Sequence, residues 1–477
     1  MLNCRRITLS TVVELFLGIT IFAMTSYCPL LAEETLRVGF AKVDITPSQP
    51  TPMAGYYHGR LSTETHDPLW CRAVVIDDGA SKAAIITLDL ISTTRWMTVE
   101  SRKMIERVSG IPAANVMISA THTHTGPSLH EPNSTRYMEM IQVPSTELYM
   151  TQLPGKIADC VNAALSNLHA TQPHYAIGVE EKLTFNRRFF MEDGTVGWNP
   201  GKLNPKIVRE AGPTDDTLPL VAWMDEKQQP LGLMLNYCIH LDTVGGTQWS
   251  ADMPHGLIES LESVFGGDKH IQYATACCGD LNHLDVRSSS PQKGHGEAAR
   301  IGVRLAGAAL RALPNFVEAK GSKLHVTSQT VSLNVFEHSA ERVAWAESIA
   351  EKSSKQPQPS FWDMVEAFRI LDNQFRDNKP YEVEVQVISV GRDIAWVALS
   401  GEVFVQLGMD IKAGSPFRLT AIHELANGSI GYIPTREAYG QGNYEVISAR
   451  CAEGSGELLV HSAIAQLREH FSVQVGK

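Results

Sequence analysis

The sequence predicts an α/β fold of layered mixed sheets with flanking helices around a central pocket. Apolar runs of strand length alternate with amphipathic stretches of helical period, and most connections between them are short. No internal repeat divides the 477 residues, so one large domain accounts for most of the chain. Several apolar runs also end on residues capable of chemistry: VMISATHTH reaches His122 and His124, LMLNYCIH reaches His240, and IAWVALSGE reaches Glu402. In α/β folds such strand ends converge on the crevice where ligands sit.

Residues 1–32 read as a secretory signal peptide. Arg5-Arg6 form a positive start, Leu15 to Met24 a short apolar core, and Leu30-Leu31-Ala32 a cleavage site. The apolar run is short for a membrane span, and no later segment qualifies. The expectation is a secreted or periplasmic protein with its working domain at 33–477. Removing the leader takes away Arg5, Arg6 and Glu14 and moves the net charge from −11 to −12. That acidic balance repels phosphates, which excludes nucleic acid as a partner and leaves at most peripheral membrane contact. Six cysteines remain, at 71, 160, 238, 277, 278 and 451. They are sparse and lack CxxC spacing, which argues against a zinc finger and leaves any disulfide pairing open.

In chain order, Leu36 to Asp44 reads as a strand, followed by a loop rich in Gly, Tyr and His (MAGYYHGR). Arg72 to Asp77 and Ala83 to Leu90 form a hairpin around Asp77-Asp78-Gly79. A helix over Thr98 to Val108, ended by Gly110 and Pro112, precedes the histidine strand, and a helix follows from Ser145 to Leu168. The Gly-, Pro- and Asn-rich stretch to Asp216 reads as a long irregular loop, a lid or functional segment. Strands then fall at Leu220–Asp225, Leu231–Ile239 and His270–Ala276, with helices at Met253–Phe265 and Glu297–Leu313. The last third carries strands at 323–335, 383–390, 393–399 and 417–425. Its helices fall at 339–352, 360–377 and 457–471.

Side chains two apart on a strand point the same way, so His122 and His124 are expected to project together from a strand end. Taken singly, His240 reads as a hydrogen-bonded core histidine and Glu402 as the cap of the helix that follows. Likewise Asp280 and Asp285 read as turn residues, and Tyr432, Tyr439 and Tyr444 as packing. Jointly, two imidazoles and a carboxylate match the His₂Glu zinc set, which leaves a coordination position open.

The blocks VGFAKVDITP, MAGY, CRAVVIDDG, ITLDL, VMISATHTHTGPS, Phe185-Asn186-Arg187, NYCIH, CCGD, SGE and NGSIGYIPTREAYGQGNYE occur in this order nearly end to end. Together they resemble the catalytic domain of the neutral/alkaline, non-lysosomal ceramidase family. The resemblance implies a central pocket holding one Zn²⁺ per chain through His122, His240, Glu402 and Tyr432. It also implies substrate-orienting or proton-transfer roles for His124, Arg187 and Tyr444, and zinc-dependent hydrolysis of an N-acyl amide in a lipid or similar small molecule. Two residues depart from the family pattern: Asn282 stands where ceramidases carry a serine, and Thr125 where a serine is usual. No counterpart of the β-sandwich that follows the ceramidase catalytic domain is expected after the Tyr444 block. Asn282 and the polar 190–216 loop keep two alternatives open, a zinc esterase or hydrolase acting on a polar or sugar-linked substrate and a catalytically impaired binding homologue.

Overall fold

The structure is a computed structural model describing residues 35–131, 143–267, 269–353 and 355–475. The expected signal peptide lies outside the described residues. Three sheets of four or five strands make the framework. The first runs in the order 116–120, 82–88, 70–77, 37–44, 168–170, and the second in the order 270–275, 230–237, 217–224, 172–179, 317–318. The third is ordered 324–333, 381–390, 394–398, 419–423. Their inner faces share a core in which Trp223 and Trp396, both fully buried, stack with centroids 6.3 Å apart.

Local chemistry explains the connections. In the first hairpin Gly79 takes a positive φ of 88°. The Asp77 and Asp78 carboxylates accept from the backbone amides of Gly79 at 2.8 Å and Ser81 at 2.6 Å. The Ala-rich helix His295–Ala312 packs closely on helix Met253–Phe265 because Gly302 sits at their crossing. A Cβ there would stand 2.5 Å from the Leu257 amide nitrogen.

One arrangement positions the site. Each of the three sheets is otherwise antiparallel but contains one parallel pair among the described residues: 82–88 with 116–120, 230–237 with 270–275, and 394–398 with 419–423. Parallel neighbours present their C-terminal ends on the same side, so each sheet delivers two chain segments to one place. Those segments carry Asp89 and His122/His124, His240 and Cys278–Asp280, and Glu402 and Glu424.

Several expectations are corrected. The first helix begins at Arg95, because the Thr94 hydroxyl accepts from the Met97 amide at 3.1 Å and caps it earlier than the apolar spacing suggests. The stretch before Asp216 is not irregular: Arg188–Met191, Val196–Trp198 and Ile207–Glu210 pair into a small sheet. The stretch 426–445, whose Gly, Pro and Asn content reads in sequence as a loop, contains the short helix Arg436–Gln441 and the start of a second, Tyr444–Ser448, capped by the side chains of Thr435 and Asn443.

Burial makes this fold sensitive to acid. His270, His423 and His470 are buried, and desolvation lowers each imidazole pKa to about 3. A depressed pKa gives stability that is full above the unfolded value of about 6.5 and is lost as pH falls toward 3. Each histidine contributes a slope of about 1.4 kcal/mol per pH unit across that window. Urea midpoints measured at pH 7.5, 6 and 5 should therefore fall steadily. A flat profile would show that these rings protonate in place.

Candidate metal and catalytic site

The histidine motif leaves the strand before it reaches the site. Strand Val116–Ala120 ends two residues before His122, which adopts a positive φ of 75°. The expected strand alternation is therefore not what aims the two imidazoles. Backbone ties hold them instead: the amides of His122 and His124 donate to Leu90 O at 2.9 Å and Leu241 O at 3.1 Å. A left-handed conformation costs a non-glycine residue about 1–2 kcal/mol, and the buried surroundings of this turn enforce it. Gly55, from the MAGY loop, faces the His124 ring with φ of 100°, and a Cβ there would stand 2.8 Å from it. Only glycine fits, so Gly55→Ala should displace His124 and cost activity without dismantling the core. Activity measured beside the melting temperature checks this.

The structure brings the predicted residues together. His122 Nε2 and His124 Nε2 lie 3.1 and 3.0 Å from His240 Nε2. Glu402 Oε2 lies 3.5 Å from His122 Nε2, too long for a full hydrogen bond, and is buried without a hydrogen-bond partner. Glu402 pairs along its backbone with Tyr432 and also hydrogen-bonds its side chain. Arg187 Nη2 donates to the Tyr432 hydroxyl at 3.1 Å, and the Tyr444 ring stands edge-on to Tyr432 at 5.4 Å.

This cluster fits a cation. The carbonyls of Ile91 and Gly55 face the Nδ1 atoms of His122 and His124 at 2.7 and 3.1 Å. Carbonyls only accept, so Nδ1 carries the proton in each ring and Nε2 presents a lone pair. His240 Nδ1 faces the Cys278 sulfur at 3.9 Å, and that thiol donates to Glu424 Oε1 at 2.8 Å, leaving the sulfur free to accept. Three nitrogen lone pairs and an unpartnered carboxylate oxygen thus meet in a buried space, a repulsive set that a cation would relieve. His122, His124 and His240 together could hold a metal ion. His124 stands as near His240 as His122 does, although the resemblance implied for it only substrate orientation or proton transfer.

Charge sharpens the picture. Burial disfavours the His122 cation, but the Glu402 carboxylate outweighs it and raises that imidazole. Burial and then the His122 charge lower His124 to about 4 and hold His240 well below its ordinary value. Burial raises Tyr432 and Tyr444 well above the ordinary phenol value. Arg187 is held by Glu445 at 2.8 Å and Gly279 O at 2.7 Å, and its neighbour Arg188 takes the other Glu445 oxygen at 2.9 Å.

Sequence reasoning missed several residues. Glu424, pushed up to about 8 by burial, accepts from Cys278 and from the Val403 amide. Asp242 lies 3.0 Å from His283. Glu445 clamps both arginines, and Tyr57 hydrogen-bonds Tyr444. The signal for Asp242 was its place two residues after His240; the others had no local signal. Gly279 sits directly beneath Glu402, where a Cβ would stand 2.4 Å from the Glu402 carbonyl oxygen. Asn282 points its amide at Asn199 Oδ1, 2.8 Å away, and accepts from the Leu284 amide at 2.9 Å. The residue that departs from the ceramidase pattern therefore braces the 190–216 segment. No helix among the described residues is long and apolar enough to cross a membrane.

No family model matches the chain. Among solved structures it is similar to neutral ceramidase from Pseudomonas aeruginosa, with a TM-score of 0.69, 19% identity, and coverage of 91% of this chain and 75% of that one. It is likewise similar to a ceramidase complexed with C2, with a TM-score of 0.68, 19% identity, and coverage of 91% and 76%. The chain has a neutral-ceramidase-like fold.

Proposed function

We propose that this protein is a zinc-dependent hydrolase of an N-acyl amide, acting on a ceramide-like lipid. The observation that carries the reading is the convergence of His122, His240, Glu402, Tyr432 and Arg187, from five separate chain segments, on one buried point. His122, His240, Glu402 and Tyr432 would hold the zinc, the Tyr432 hydroxyl completing the set. Zinc bound there supplies Lewis acidity, polarising a carbonyl and bringing the pKa of a water to about 7. Arg187 fixes the Tyr432 hydroxyl and adds positive charge where an oxyanion develops. Tyr444 offers a second donor, and His124 can take a proton at Nε2 and pass it to the leaving amine.

An apolar wall supports a lipid substrate. Trp198 lies 4.4 Å from the Tyr444 ring and stacks on Phe361 at 5.9 Å, and Phe361 packs on Tyr444 at 5.7 Å. Phe361 begins helix Phe361–Phe375, which forms a hairpin with Ala340–Ser353 beside the site. Losing one aromatic contact costs about 0.5–1.5 kcal/mol beyond its buried area. Trp198→Ala should therefore raise KM roughly tenfold for a long-acyl amide and leave a short-acyl amide little changed. Equal effects on both would remove the wall from substrate binding.

The test of the reading is turnover of an N-acyl sphingoid lipid beside a matched short acyl ester, before and after chelation and zinc return. Amide turnover that disappears with the metal and returns with zinc supports it. A second reading, hydrolysis of an ester or a polar-headed substrate, is favoured by Asn282 and the polar 190–216 segment that it braces, and preference for the ester would select it.

A further inference from the structure

A second set of metal-type ligands lies outside the cluster described above. His66, Asp67 and His295 each offer one ligand atom, and those atoms lie within 4.8 Å of one another. The two imidazole rings are stacked face to face, with centroids 3.5 Å apart and planes 12° from parallel. His66 Nδ1 is 2.9 Å from Asp67 Oδ2. The ligands come from distant parts of the chain: His66 follows the short strand Glu64–Thr65, and His295 is the first residue of helix His295–Ala312.

The frame beneath them is fixed. Asp67 is buried, and its carboxylate accepts from the Ser250 hydroxyl and the Ala251 amide, both at 2.6 Å. The amides of His66 and Asp67 both donate to Trp249 O, at 3.0 and 3.3 Å. Gly294, immediately before His295, donates to Thr243 O at 2.8 Å. One loop, 243–251, thus grips all three ligands. The outer coordination partners that orient a metal-binding carboxylate are already in place.

We propose that His66, Asp67 and His295 form a second binding site for a zinc-class divalent cation, with no ligand shared with the candidate active site. Two imidazoles and a carboxylate suit Zn²⁺, Cu²⁺ or Ni²⁺ rather than Mg²⁺ or Ca²⁺. Stacked rings point their lone pairs in parallel, so His66 must tilt to share a cation; its side chain is 42% exposed and free to do so. The positive end of the helix opposes a cation, and the Asp67 carboxylate offsets it. The site also reaches the active-site loop: the Ser250 carbonyl accepts from the hydroxyls of Thr123 at 2.7 Å and Thr125 at 2.9 Å. A cation here would brace the turn that carries His122 and His124.

The untagged chain, dialysed against zinc chloride and assayed for bound metal, tests this. The wild type should hold about two zinc ions, whereas His66→Ala and His295→Ala each hold about one. Both positions are partly exposed, so folding should survive in each variant. His240→Ala should also hold about one ion, the one at this second site, which separates this proposal from the active-site reading. A wild type whose stoichiometry is unchanged by either His66→Ala or His295→Ala overturns it.

Discussion

His240→Ala should abolish hydrolysis and remove the active-site metal. His240 is the nitrogen to which both other imidazoles point, at 3.0 and 3.1 Å, so its loss dismantles the donor set from the middle. A metal contributes several kcal/mol to stabilising developing charge, equivalent to a loss of about 10³–10⁵-fold in kcat/KM. The effect on metal-free stability should be smaller than for an ordinary buried truncation, because the substitution also removes crowding among three lone pairs. Kinetics with an N-acyl amide and thermal melts with and without chelator check both halves. Retention of more than a tenth of the activity would mean that His240 is only a core histidine, the bland reading its sequence context allows.

Arg187→Ala should be the most damaging substitution outside the metal-type ligands. Glu445 is fully buried and shared between Arg187 and Arg188, so removing one guanidinium leaves an incompletely compensated charge in the interior. Breaking such a pair costs about 3–5 kcal/mol. The same change frees Tyr432 from its 3.1 Å donor and removes positive charge beside the reacting position, worth about 10²–10³ in kcat. Glu445→Gln separates the two roles, since it keeps both arginines and the Gly279 O contact but removes the charge that anchors Arg187. Stability by urea midpoint and kcat should both fall in Glu445→Gln, with kcat falling less than in Arg187→Ala. If kcat is unchanged in Glu445→Gln, Arg187 does not need that anchor.

The framework was legible in the sequence because strand and helix periods are local properties. The helix Met253–Phe265 has the bounds its pattern dictates, and the strand at Arg37–Asp44 differs by one residue. Which strands run parallel was not legible, because that depends on crossovers whose direction no local pattern records. Yet the parallel pairs are what gather His122, His240 and Glu402. The grouping of the site residues could be read from their positions after apolar strands and from the ceramidase resemblance. Their orientation could not. His122 is turned by a positive φ that nothing in THTHTG requires, and the Glu424–Cys278–His240 chain joins residues up to 184 positions apart. The short sheet at 188–210 was hidden because its strands are only three or four residues long and the connections between them are rich in turn formers.

The most direct measurement is anomalous diffraction at the zinc edge from crystals of the active protein. The account predicts a peak about 2.0–2.1 Å from Nε2 of His122 and of His240, beside the Glu402 carboxylate. A fully active protein with no metal between those residues would contradict it.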